Sequence, residues 1–238
     1  MFEHALIIRS DSKVSDLIEH NPKLLLMLEH WNIPLGLHEK SVEQLCQEFE
    51  IESKLFLAVA NLYLDIIPDT SQVSNINDIV HVLTFLENSH KHYINEKFPL
   101  LSSYITDISD INKHPETELL NRFYNDYLEE VTEHLKYENT IVFPYVMSLL
   151  TQNGPSDKVS GEHYSMADYS SHHDDIEEKL ADLKNLLIRY LPPDKDMQYR
   201  RRLLLTLYEL EFDLHIHSLI EEIILIPIVE RLEHSIKV

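Results

Sequence analysis

The sequence predicts an all-α protein, on three observations. Only 3 of its 238 residues are glycine, which leaves little turn chemistry for hairpins or phosphate-binding loops. Apolar residues recur at spacings of three and four over long segments, the period of a helix face. With 44% hydrophobic residues, the chain can bury a core of its own.

The elements follow in order. Met1 to Lys13 holds the apolar run Ala5-Leu6-Ile7-Ile8, too short for a signal peptide and without a small-residue cleavage site. Val14, Leu17 and Ile18 fit one helix face, and Pro22 opens a second helix through Leu28. Asn32-Ile-Pro-Leu-Gly36 reads as a turn, Ser41-Val-Glu-Gln-Leu opens a third helix with capping chemistry, and Ser53 to Leu64 forms a fourth. Residues 1–67 are therefore expected to form a small helical domain. Residues 68–77, rich in Pro, Ser, Thr and Asn, are expected to link it to a four-helix bundle over 78–238. The bundle helices are placed at about 78–108, 116–151, 164–190 and 196–235, broken by Gly154, Gly161 and Leu191-Pro-Pro-Asp194. No stretch approaches the roughly 20 apolar residues that span a bilayer, so a cytoplasmic protein is the expectation.

Charge and cysteine use narrow the function. Twenty Lys and Arg against 41 Asp and Glu give a net charge of −21, which disfavours nucleic acid and anionic membranes as partners. Fifteen histidines in an acidic chain point instead to a cation. The single cysteine, Cys46, excludes disulfide frameworks, cysteine-type zinc sites and cysteine-ligated clusters. Any ligation falls to His and carboxylate.

Two segments repeat one pattern: His134-Leu-Lys-Tyr-Glu138 with Pro144 downstream, and His217-Ser-Leu-Ile-Glu221 with Pro227 downstream. Both read H-x3-E-x5-P. Residues four apart share a helix face, so each pair presents an imidazole and a carboxylate to one point. Two such helices can hold two metal ions, with Glu bridging and His terminal. His92, His114 and His173 also have Glu four residues on. At His92 and His114 the spacing alone is read as a solvated surface pair.

The other two bundle helices would each supply one His. The first offers His90 or His92, the third His172 or His173; such close neighbours diverge on a helix, so one of each pair ligates and the other is an orienting partner or exposed. A ferritin-type site needs Glu three residues before each His, but Val131 and Leu214 stand there. Mixed imidazole and carboxylate about two centres suits non-haem iron best, with manganese or zinc as alternatives. A metal-free helical interaction protein is the competing class, disfavoured by the cost of burying unpaired polar groups.

These motifs resemble the hemerythrin-like, HHE-type di-iron bundles, and within them the iron–sulfur cluster repair family of the RIC/ScdA type. The resemblance covers nearly the whole chain. It implies the ligand set His90, His134, Glu138, His173, His217 and Glu221, with His90 over His92 for its Asn-Ser-His context and His173 over His172 for the Asp174 that follows. Glu177 stands where oxygen-carrying hemerythrins place a further His. The resemblance implies an oxo-bridged di-iron protein that repairs or supplies iron to clusters damaged by oxidative or nitrosative stress, with iron–sulfur proteins as partners, small ligands such as oxygen or nitric oxide, and room for a homodimer. The alternative is an oxygen- or nitric-oxide-binding or sensing module without repair activity. Enzymatic turnover is left open. One departure stands out: the family's N-terminal domain carries a cysteine pair, whereas this chain has Trp31-Asn-Ile-Pro-Leu-Gly36. Without it that domain lacks dithiol chemistry, and Cys46 is expected to be a small buried residue.

Overall fold

The computed structural model describes residues 8–70, 73, 76–151, 165–166, 169 and 176–236. The protein is all-α. Among the described residues the nearest approach to β structure is one isolated antiparallel bridge, Lys13 to Ser41. The helices are α1 Val14–His20, α2 Leu24–His30, α3 Val42–Glu48, α4 Ser53–Leu62, α5 Ile76–His92, α6 Phe98–Ile111, α7 Pro115–Tyr137, α8 Phe143–Leu150, α9 Ile176–Asn185, α10 Met197–Ile220 and α11 Ile226–Ile236. The third long helix, expected over 164–190, is described continuously from Ile176 onward. No helix among the described residues is long and apolar enough to cross a membrane.

The chain divides into two compact units. The first comprises residues 1–89, 145–170 and 216–238, the second residues 90–144 and 171–215.

In the first unit, short helices are pinned by their caps and by a shared aromatic cluster. Ser41 accepts from the Gln44 N–H while Gln44 accepts from the Ser41 N–H, a capping box that opens α3. The bridge beside it joins the starts of α1 and α3, with Val14 N–H donating to Lys40 O and Val42 N–H to Ser12 O. Trp31 stacks on Phe56 at 5.1 Å and meets Phe85 edge-on at 5.1 Å; such pairs add to the area they bury. The 32–36 turn ends on Gly36 at φ +99°, a conformation that favours glycine. Cys46 is 2% exposed, and burial pushes its thiol up to about 11, as expected for a packing residue.

The second unit has one core fed by four helical segments: Leu101, Ile105 and Ile108 from α6, Leu120, Tyr127 and Val131 from α7, Leu180 and Leu183 from α9, and Leu203, Leu207 and Leu210 from α10. Spacings of three and four put each set on one helix face. Each such side chain contributes about 1.5–3 kcal/mol on burial. A polar knot closes one end. Buried Asp196 accepts from Arg200 at 2.8 Å and from Asn112 Nδ2 at 3.1 Å, and Arg200 also donates to Leu191 O and Pro192 O. That knot fixes the Leu191-Pro-Pro-Asp194 break as a tight hairpin between helices.

Among the described residues three π-helical turns interrupt long helices, Tyr93–Lys97, Glu138–Val142 and Glu221–Leu225, and a fourth, Leu186–Tyr190, ends one. In each, the next residue's N–H reaches back five positions: Phe98 to Tyr93 O, Phe143 to Glu138 O, Leu191 to Leu186 O and Ile226 to Glu221 O. A proline follows every time, at 99, 144, 192 and 227. Proline has no N–H to donate, and its ring collides with the carbonyl four residues back in an α-helix. A wider turn removes the collision, and π turns of this kind gather at functional sites. The proline in H-x3-E-x5-P thus marks a π turn that begins on the glutamate.

Candidate metal centre

In the second unit, α7 ends by delivering His134 and the π turn begins by delivering Glu138. The Glu138 carboxylate is fully buried. His134 Nε2 lies 2.9 Å from its Oε1, and His90 Nε2 lies 3.2 Å from its Oε2. One carboxylate therefore receives two imidazoles, each on its own oxygen. The His90 ring stacks on Phe143, centroids 5.4 Å apart, and its Nδ1 is 3.0 Å from Asn139 Oδ1. His92, read from its spacing as half of a solvated surface pair, is buried, and only its partner Glu96, 3.7 Å away, is exposed.

In the first unit, the second copy of the motif is assembled differently. His217 Nε2 lies 3.5 Å from Oε1 of Glu221, and both side chains are buried. His217 Nδ1 is 2.8 Å from Ser89 Oγ, and Ser89 Oγ donates to Leu86 O at 2.7 Å. A hydroxyl has one proton. With that proton on Leu86 O, Ser89 accepts from His217 Nδ1–H, which leaves the neutral ring with its lone pair on Nε2, facing the carboxylate.

At His90 the partner of Nδ1 is the Asn139 amide oxygen, an acceptor, so in the neutral ring Nδ1–H donates to it and the Nε2 lone pair faces Glu138. In both units an imidazole Nε2 and a carboxylate oxygen meet in a buried place, an arrangement that either a shared proton or a metal cation satisfies. Imidazole ligands with the second nitrogen tied to a partner are how proteins present histidine to metals. The donor set, nitrogen and carboxylate oxygen without sulfur, fits a transition-metal cation.

The predicted residues are thus brought together in two groups, His90 with His134 and Glu138, and His217 with Glu221. His172, His173 and Asp174 lie outside the described residues, and Glu177 falls in α9. His114 makes the helix-end contact expected of a surface residue, its backbone N–H donating to Asn112 Oδ1. Sequence reasoning missed Ser89 and Asn139 as partners. A signal for Ser89 was present: it stands ten residues before Pro99, the offset at which His134 and His217 precede Pro144 and Pro227.

Among known proteins, the chain is similar to the iron-sulfur cluster repair protein ScdA of Staphylococcus haemolyticus (strain JCSC1435). The two are 26% identical over 157 residues, 63% of this chain and 69% of that protein. No family model matches the chain, and no solved structure matches it. The likeness to ScdA supports kinship with iron–sulfur cluster repair proteins.

Proposed function

We propose that this chain is a cytoplasmic non-haem di-iron protein that repairs, or supplies iron to, iron–sulfur clusters damaged by oxidative or nitrosative stress. The four long helices would close as a hemerythrin-like bundle, and His90, His134, Glu138, His173, His217 and Glu221 would hold two iron ions in an oxo-bridged centre. The observation that carries the reading is the pair of buried Glu carboxylates, each with an imidazole Nε2 beside it whose ring is held at Nδ1 by a side-chain oxygen. The likeness to a protein named for cluster repair supplies the direction of the chemistry.

When bound, iron supplies Fe(II)/Fe(III) cycling and a coordination position for a small ligand such as oxygen or nitric oxide. The chain's own residues do the rest. Ser89 and Asn139 hold His217 and His90 in the tautomer that ligates, Phe143 supports the His90 ring, and the buried carboxylates balance the cationic charge. Iron–sulfur proteins would be the clients, and a homodimer is compatible with the reading.

Anaerobic purification followed by metal analysis is the direct test, with about two irons per chain expected from a paired His/Glu centre. Less than about one iron per chain sinks the di-iron reading. Addition of the iron-loaded protein to an enzyme whose cluster has been damaged by nitric oxide should restore its activity. Reversible oxygen binding without that recovery would replace repair by sensing.

A further inference from the structure

Helix α10 carries apolar residues on two faces. Leu203, Leu207, Leu210 and Leu214 form the stripe that enters the core, which is all an amphipathic helix needs to bury. On the opposite face Met197, Leu205 and Tyr208 are 65%, 63% and 50% exposed. Exposed Arg201 lies four residues from both Met197 and Leu205, so the four side chains line one face. The other arm of the hairpin adds to this face. Lys184 Nζ sits 4.5 Å over the Tyr208 ring, and Arg200 donates to Leu191 O at 2.8 Å. That antiparallel register puts Ile188, 56% exposed, level with Leu203 and Leu204, one turn or less from Leu205. Single exposed apolar residues are ordinary; a row of them on two adjacent helices marks an interaction site.

The charge of this surface is opposite to that of the chain. Residues 179–202 hold seven of the 20 Lys and Arg against three acidic residues, in a chain of net charge −21. Lys179, Lys184 and Arg200 are held by Glu130, Glu211 and Asp196, while Arg189, Arg201 and Arg202 are exposed around the apolar row.

We propose that the outer face of α10, with the Leu186–Tyr190 turn beside it, docks an acidic amphipathic helix of a partner protein. The apolar row matches the i, i+3, i+4 anchors of such a helix, and the arginines match carboxylates at its margins. Nucleic acid would offer the arginines phosphates without apolar anchors for the row, and a second copy of this face would set the same arginines against one another.

The test uses the full chain and a fluorescein-labelled peptide of about 18 residues, with Leu and Phe at helical spacing and Glu elsewhere. A control peptide carries Lys in place of Glu. Anisotropy should show saturable binding of the acidic peptide alone, weakened about tenfold by Arg201→Glu with Arg202→Glu and by Leu205→Glu. Thermal melts should be unchanged because these side chains are exposed; should Leu205→Glu lower the melt, the arginine variant carries the test. Equal binding of both peptides, no binding of the acidic one, or binding indifferent to the arginines overturns the proposal. So does stronger binding to phosphatidylcholine–phosphatidylserine vesicles, or a dimer in sedimentation that Leu205→Glu abolishes.

Discussion

The two H-x3-E motifs are the same in sequence and different in support. His217 is oriented from behind by Ser89, a fully buried hydroxyl on α5. His90, which meets Glu138, is oriented by Asn139, an exposed amide on the π turn. Water can take the place of an exposed amide but has no access to a buried hydroxyl's position. The motif therefore specifies which groups meet, and the supporting residue sets how firmly they are held.

The largest test of this contrast removes a carboxylate. Glu138→Ala and Glu221→Ala should each abolish tight metal binding. The stabilisation that bound metal adds, about 2.7 kcal/mol at a hundredfold excess over Kd, should vanish with it, a drop of roughly 5–11 °C in Tm for a chain of this size. Differential scanning calorimetry with and without metal would show it. Next in size, Ser89→Ala should weaken metal binding by about 10–100-fold, and Ser89→Thr should restore most of it. Nitrogen NMR should find His217 in the Nδ1–H tautomer in the metal-free protein; the Nε2–H tautomer would break the argument. Asn139→Ala should cost less than about tenfold. If it costs as much as Ser89→Ala, the contrast between buried and exposed support fails. His92→Ala should leave metal content unchanged.

The smallest expected effect concerns Cys46. Its thiol is pushed up from 9.0 to about 11 by burial, so at pH 8 the folded protein holds about a hundredfold less thiolate than an unfolded chain. Iodoacetamide labelling should be correspondingly slow until denaturant is added. The sign follows from which state releases its proton first. The unfolded thiol ionises near pH 9, so stability should fall as pH rises from there toward 11.

Much of this was readable from residue order, and the parts that were not share a cause. Ser41 and Gln44 announce α3 because a capping box is local. His134 with Glu138 and His217 with Glu221 are legible because four residues make one helical turn. The proline offset was visible too, but its meaning, a π turn starting on the glutamate, depends on backbone hydrogen bonds that no side-chain pattern displays. Ser89 and His217 stand 128 positions apart, and Asn112 reaches Asp196 over 84. Pairs of that separation are decided by packing. Buried Asp196 looks in sequence like one more surface acid of a helix start.

The π turns also change how the helices must be read as a register. A five-residue turn holds one residue more than the α-helical repeat allows, and each extra residue advances the helix by about 100°. Among the described residues, three long helices therefore change phase once, at Tyr93, Glu138 or Glu221, while the turn at Leu186 closes its helix. Deleting one residue, such as Thr140, would turn the helix beyond it by that angle and carry Val142 and Val146 off the buried side. An insertion of one residue, tolerated elsewhere only in loops, has here become part of the spacing between each Glu and the proline that follows it.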